Sequence, residues 1–397
     1  MAEKLKVDPW DITAPRDAGG EPTLEELLRA RIRTAGAMTF AEFMATALYE
    51  PRFGYYTTGV HRMGREGDYV TSPEVHPVFG ALIAKQVVQC WELLGEPGSL
   101  RLIEAGAGNG SLARDVLVAL EALGLPPAIE YVIVEPFERV RRHQEDAILG
   151  TGRPEWNVRW VAGLGEIEPG ENVVVLSNEL LDAFPVHRVV VRDGELREVC
   201  VGLEGDRFVE VEASVSDAAL LDYFADLGVF PGEGCYAEVN LQAPAWITDV
   251  ARLVARGFVL TFDYGATAEE LYAPWRRDGT LLCFWRQAPV HDPYARIGRQ
   301  DMTASVDFTT LVRAGRKAGL EPLGLARQSE VLVALGIGDG IGDASGVLGL
   351  ERYMERRRAA TELLDPAGLG RILVLAQGRG VGRPHLLGFP EGPPGLL

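Results

Sequence analysis

Three glycines at alternate positions, Gly106, Gly108 and Gly110, separate an apolar run carrying Glu104 from a helix-like stretch that starts at Ser111. Bare backbone at a strand-to-helix turn lets main-chain N–H groups approach a ligand closely, and the following helix adds its positive end. A nicotinamide fingerprint, G-x-G-x-x-G, would put its third glycine at position 111, where Ser111 stands. Glu104, two positions before the first glycine, can reach the ammonium of a methionine-like ligand, directly or through water; the plainer reading is a strand-end residue. Glu135 closes the next apolar run, where an acid accepts both hydrogen bonds of a ribose diol. That arrangement serves any adenosine cofactor, so these residues alone leave S-adenosylmethionine and NAD both open.

The segment "SNELLDAFP" places Asn178, Glu179 and Asp182 just past a later apolar run, on the sheet edge where α/β proteins bind ligands. Acids there can hold a cationic or amine nucleophile, and a carboxylate matches a guanidinium bidentately; the alternative is an N-cap cluster for a following helix. Asp263 in "FDYG" reads as a substrate wall or a strand stop. Upstream, Thr71, Pro73 and Glu74 have the order of a helix cap, with proline and an acid in the first turn. That capped turn could cover a cofactor. His61, His76, His187 and His291 show no partner pattern and are read as non-catalytic; Tyr55 and Tyr56 could line a pocket, with core or surface packing the plainer reading of each.

The elements that must position these residues begin near residue 100. "LRLIEAG", "EYVIVEP", "VRWVAG", "NVVVLSNE" and "FVLTFDYG" are the near-continuous apolar strands of a parallel sheet, and "SLARDVLVALEAL", "PFERVRRHQEDAIL" and "PAWITDVARLVAR" are helices between them. The expected fold is therefore α/β, a Rossmann-like doubly wound sheet with an N-terminal helical region and an inserted antiparallel meander. Residues 1–99 hold the helices "TLEELLRARIRTAG" and "TFAEFMATALY" and a glycine-rich segment, together covering the cofactor. Residues 100–378 form the core, with the meander at about 186–240 signalled by "RDGE" and "EGDR" turns. Helices "DFTTLVRAGRKAGL" and "GLERYMERRRAATELL" and a strand "GRILVLAQG" follow, and 379–397 is a Gly/Pro-rich tail.

The formal charge of -18 disfavours nucleic acid, and no apolar run has the length of a membrane helix. The arginines around 139–142 and 352–358 alternate with glutamates at helical spacing and read as solvated faces. Four scattered cysteines without a C-x-x-C pair argue against a metal site or a disulfide framework, and with no secretory leader visible they fit the cytoplasm. The expected partners therefore include neither nucleic acid nor membrane, and a homo-oligomer is left open.

In order along the chain, "GYYTTG", "GDYVTSPEVHPVFG", "LIEAGAGNGSLARD", "VEPFERVRRHQ", "SNELLDAFPVH", "FDYG", "TASVDF" and "RQSEVLVALGI" resemble the blocks of the MidA family. The likeness runs from about Gly54 to Ile337. It implies a class I methyltransferase fold using S-adenosyl-L-methionine, and the mitochondrial members of the family dimethylate an arginine of a complex I subunit. By resemblance, Glu104, Gly106, Gly108 and Gly110 form the cofactor loop, Glu135 is the ribose acid, and Thr71, Pro73 and Glu74 lie near the cofactor. Asn178, Glu179 and Asp182 take the substrate side as catalytic residues, with Asn178 also at the cofactor. Gly106-Ala107-Gly108 replaces the family's Gly-Pro-Gly, Gln287 stands where relatives carry a histidine, and "GLGRILVLA" lacks their Phe-Lys. The implied activity is methyl transfer to a protein arginine; a small-molecule acceptor, or an S-adenosylmethionine-binding assembly factor without catalysis, are the alternatives.

Overall fold

A computed structural model describes residues 23–58, 67–124, 128–153, 156–339 and 349–390. His61, residues 59–66 of the glycine-rich segment, and 391–397 of the tail lie outside the described residues. Helices α1 (Leu24–Ala35) and α2 (Phe40–Tyr49) each start at a threonine whose side chain accepts from the third helical N–H, while Glu26 or Glu42 accepts from the threonine's own N–H. This reciprocal capping is what fixes both starts. Between them lies the two-residue strand β1 (Met38–Thr39). Two single turns, α3 (Tyr55–Thr58) and α4 (Ser72–Val75), lead to α5 (Val78–Leu93), a helix the sequence reading passed over. Its buried Phe79, Ile83, Val87 and Cys90 nonetheless recur at helical spacing.

The alternating core follows as expected: β2 (Ser99–Ala105), α6 (Ser111–Ala122), β3 (Ala128–Val134), α7 (Glu138–Leu149), β4 (Asn157–Val161) and β5 (Gly170–Asn178). The meander is β6 (His187–Arg192), β7 (Glu195–Glu204) and β8 (Arg207–Ser214), joined by the tight turns Asp193-Gly194 and Gly205-Asp206. After α8 (Ala219–Leu227), β9 (Tyr236–Val239) pairs with β6, and β1 pairs with β7, so the N-terminal segment completes a five-stranded sheet. The remainder comprises α9 (Gln242–Leu253), β10 (Val254–Asp263), β11 (Gly265–Ala266), α10 (Ala268–Leu271), a three-stranded sheet of β12 (Leu282–Trp285), β13 (Ala288–Val290) and β14 (Asp301–Thr303), and then β15 (Val306–Asp307) and α11 (Phe308–Lys317). Last come β16 (Glu321–Arg327), α12 (Gln328–Ala334), α13 (Leu350–Leu364) and β17 (Leu373–Arg379).

The main sheet runs β16-β17-β10-β5-β2-β3-β4, parallel except for β17. Successive residues point to opposite faces, so each apolar strand feeds two cores. Leu102, Ile133, Leu176 and Leu260 pack with residues of α5 and α6, and Ile103, Val132, Val175 and Val259 with those of α9 and α11. From β4 the chain returns to lay β5 on the other side of β2. That reversal opens a crevice between the carboxyl ends of β2 and β5.

Gly257 holds the junction of β5 and β10 at a register shift, and a Cβ there would lie 1.9 Å from the Val173 carbonyl oxygen. Gly257→Ala is expected to lower unfolding free energy by about 3 kcal/mol or more, the scale of a buried backbone clash. Urea melts read this directly; a loss below about 1 kcal/mol would mean the ladder can shift to make room.

Candidate active site

A cavity of about 1000 Å³ occupies the crevice. Gly106 and Gly108 line it with left-handed φ of 72° and 55°, a conformation open to glycine at little cost. A Cβ on Gly106 would meet Leu180 Cδ1 at 2.8 Å. Glu104, Glu135, Asn178, Glu179, Asp182, Thr71, Pro73 and Glu74 all line the same space. Gly110 does not line it. It starts α6 at φ 84°, and a Cβ there would press on Ile148 of α7 at 3.3 Å, so the residue serves helix packing.

One hydrogen-bonded chain ties the parts together. Thr71 N–H donates to Glu74 Oε2 at 2.9 Å, confirming the expected cap, and Asn109 Nδ2 donates to Glu74 Oε1 at 2.8 Å, fastening the glycine loop to α4. Ser72 N–H donates to Glu179 Oε1 at 3.1 Å, and Asn178 Nδ2 reaches the same oxygen at 3.0 Å. Glu179 itself adopts φ 50°. Strain of this kind persists where surroundings over-determine it. No helix lies between β5 and β6, so the N-cap alternative for Asn178, Glu179 and Asp182 falls away. Asp263 does the shaping instead. Fully buried and off the cavity, it accepts from the N–H groups of Leu180, Leu181 and Tyr264, which makes it the strand stop rather than a substrate wall.

The cavity is strongly acidic. Burial lifts the Glu104 carboxyl to about 7, opposed by the Tyr131 hydroxyl that donates to Oε2 at 2.6 Å. Burial likewise lifts Glu135 to about 7, against hydrogen bonds from Phe137 N–H and Gln144. Glu179 rises to about 8, first by burial and then by the charges of Asp263 and Glu74. Asp182 rises well above the carboxylate range through burial and its neighbours Asp263, Glu179 and Asp301. Asp301 reaches about 6 by burial. The sole Arg, Lys or His side chain lining the cavity among the described residues is the solvent-exposed Arg371, held over the Tyr264 ring at 5.2 Å.

Sequence reasoning missed Asn109, Tyr49, Tyr69, Asp68, Asp301 and Arg371, all cavity residues. Asn109, Asp68 and Tyr69 stand inside blocks that resemble the family and Asp301 just before one, but their residue types alone carried no site signal. Of the two readings open for these tyrosines, Tyr56 takes the pocket-lining one, and Tyr55 is buried and donates to Asp68 at 3.0 Å. Gln287 faces the same cavity, as its departure from the family hinted. His76 accepts from Val78 N–H, His187 pairs with Glu198, and no histidine of the described chain lines the site.

Residues 82–326 match the family model described as "Putative S-adenosyl-L-methionine-dependent methyltransferase". The chain is a MidA-family S-adenosylmethionine-dependent methyltransferase. It is 32% identical over 402 residues to the Drosophila melanogaster protein arginine methyltransferase NDUFAF7 homolog, mitochondrial, covering 94% of this chain and 88% of that one. To the Homo sapiens protein arginine methyltransferase NDUFAF7, mitochondrial, it is 28% identical over 353 residues, 80% of this chain and 74% of the other. A Burkholderia thailandensis structure bound to S-adenosyl-homocysteine superposes with a TM-score of 0.83 at 32% identity, covering 94% of this chain and 95% of that one. The MidA site fits the cofactor on its own terms: glycines hold backbone where a side chain would collide, beside buried acids that lack a cation.

Carboxyls raised to about 7 hold protons below that pH, and each would release its proton on binding, Glu104 to face an ammonium and Glu135 to accept both hydrogen bonds of a ribose diol. S-adenosylmethionine binding is therefore expected to release protons near neutrality. It should weaken below about pH 7, by at most about tenfold per pH unit for each carboxyl involved. Calorimetry in buffers of different ionisation enthalpy measures both effects, and a pH-independent affinity would remove Glu104 and Glu135 from the binding site.

Proposed function

We propose that this MidA-family chain transfers methyl groups to an arginine guanidinium of a protein acceptor. The observation that carries the reading is the pair Glu179, half-buried, and Asp182, buried, carboxyls that line the cavity while, among the described residues, the only basic side chain there is the peripheral Arg371. Such a pair holds a cation brought from outside, and a guanidinium offers several donors to it. The relatives' description as protein arginine methyltransferases points the same way.

In this reading Glu104 holds the cofactor's ammonium, the backbone at Gly106 and Gly108 lies along its methionine end, and Glu135 accepts from the ribose hydroxyls. The α4 turn, with Thr71, Pro73 and Glu74, closes over that end. When bound, the cofactor supplies a methyl already activated on sulfonium sulfur. The protein's share is to hold the nucleophile and to move its proton, and positioning alone can lower a barrier by ~7–11 kcal/mol. Glu179 anchors the acceptor nitrogen and takes the proton on its carboxylate, with Asp182 as the second anion; a group near pH 8 suits that exchange at neutral pH. Arg371 complements the cofactor's carboxylate.

Glu179→Gln is expected to lower kcat by about a hundredfold or more while leaving S-adenosylhomocysteine affinity within about threefold. For the unaltered protein, kcat/KM climbs as pH rises through about 8, because the ionised acid is the working form. Labelled methyl transfer into a lysate, split by size, tests the acceptor: label in protein arginine supports the proposal, and label confined to small molecules overturns it. Arg371→Ala should weaken S-adenosylhomocysteine about fivefold or more and leave 5′-methylthioadenosine, which lacks the carboxylate, unchanged. Equal losses for both ligands would place Arg371 elsewhere in the mechanism.

A further inference from the structure

The cavity has a second compartment, built by the additions to the sheet rather than by the sheet. Tyr49 comes from α2, Tyr56 from α3, Tyr69 from the approach to α4, and Asp301 from β14. Tyr49 and Tyr56 stack, with ring centroids 5.5 Å apart and planes 25° from parallel. Both hydroxyl protons are committed: Tyr49 Oη donates to the Ala183 carbonyl at 2.9 Å and Tyr56 Oη to Asp301 Oδ1 at 2.7 Å. What these rings add to the compartment is therefore aromatic surface.

Asp301 is 3% exposed and still lines the cavity. Oδ1 takes two hydrogen bonds, from Tyr56 Oη and from Met302 N–H at 2.9 Å. Among the described residues Oδ2 accepts none, and no Lys, Arg or His approaches the carboxyl within 4 Å. Fixing Tyr56 needs only one carboxylate oxygen. Oδ2 is thus the carboxylate oxygen left open to the cavity, where a donor entering from outside can meet it. Asp182 is close enough for the Asp301 charge to raise its proton affinity, and both acids raise that of Tyr49, Tyr56 and Tyr69, so rings and acids share one small volume.

We infer that this compartment is a guanidinium clamp, in which Asp301 anchors a planar cationic side chain and Tyr49, Tyr56 and Tyr69 wall it. The inference rests on the arginine reading above and adds the residues that select for it. A flat cation can stack on a ring face while its in-plane N–H groups meet Oδ2 of Asp301 and the Asp182 carboxylate. An ammonium has a compact, strongly hydrated charge and no flat face to stack, and a neutral urea lacks the charge. Asp301 is thus a positioning residue for the acceptor, separate from Glu179, which handles the reacting nitrogen.

The test titrates ethylguanidinium, ethylammonium and urea into the full chain saturated with S-adenosylhomocysteine at pH 8. Ethylguanidinium is expected to bind about tenfold or more tighter than ethylammonium, with no measurable urea binding. Asp301→Asn should lose about tenfold of that affinity and raise KM for an arginyl protein acceptor by a similar factor, with kcat within about threefold and S-adenosylhomocysteine affinity unchanged. Tyr56→Phe, which keeps the ring but removes one of the two hydrogen bonds to Oδ1, should lose about threefold. Ethylguanidinium binding no tighter than urea, or an Asp301→Asn protein with unaltered KM, overturns the clamp while leaving arginine methylation standing. Tight ethylguanidinium binding by a protein that labels no arginine sinks the acceptor assignment and keeps the clamp. Should Asp301→Asn lose its cooperative melt, the three-probe comparison on the unaltered protein decides alone.

Discussion

Carboxyls drawn out of water without an ion-pair partner dominate this molecule's central cavity. Glu104, Glu135, Glu179, Asp182 and Asp301 are drawn from five stretches of chain into one space, and burial is the leading cause by which each holds its proton past the ordinary range. Folding would be easier with amides or apolar groups at these positions, since each carboxyl must either stay protonated or bear an unpaired charge. A site of this kind is completed by cations that come from outside, and both ligands of a sulfonium-dependent methyl transfer to arginine bring one. Neutral pH sits within the titration range of the set, so the free protein is poised between protonated and ionised forms.

Holding like charges together requires a rigid frame, and the short α4 turn supplies much of it. Glu74 binds the start of its own turn with one oxygen and Asn109 of the glycine loop with the other. The next residue in the turn, Ser72, reaches Glu179 through its N–H and Gln328 through its hydroxyl. Gln328 in turn donates to the Leu369 carbonyl and through its main chain to Ile372. Cofactor loop, acceptor loop and the C-terminal strand region are therefore joined within a few hydrogen bonds. A disturbance at α4 reaches both halves of the site at once.

Much of this was readable in the sequence, and the boundary of what was readable has a physical cause. The parallel strands announce themselves because burial on both faces forces runs such as "NVVVLS", and the meander because Asp-Gly and Gly-Asp turns punctuate alternating stretches. Glu104, Glu135 and Glu179 were found because an acid at the end of a buried strand breaks the apolar pattern. Asp301, Tyr49 and Tyr69 escaped because their residue types alone do not announce a site, and Tyr56 was readable only as one of two possibilities; they come together only when α2, α3 and β14 fold against the sheet edge. β16 and α12 gave no expectation either, though the block containing Gln328 did resemble the family.

The antiparallel strand β17 has a bearing on how the chain is made. It lies between β10 and β16, bonded to both along most of its length. During synthesis every other strand leaves the ribosome first, so β10 and β16 wait with open edges until residues 373–379 arrive. An open edge on a hydrophobic strand invites pairing with another nascent chain. Slow decoding or a premature stop shortly before Leu373 would therefore leave a nearly whole but sticky polypeptide, one that chaperones must shield until the gap is filled.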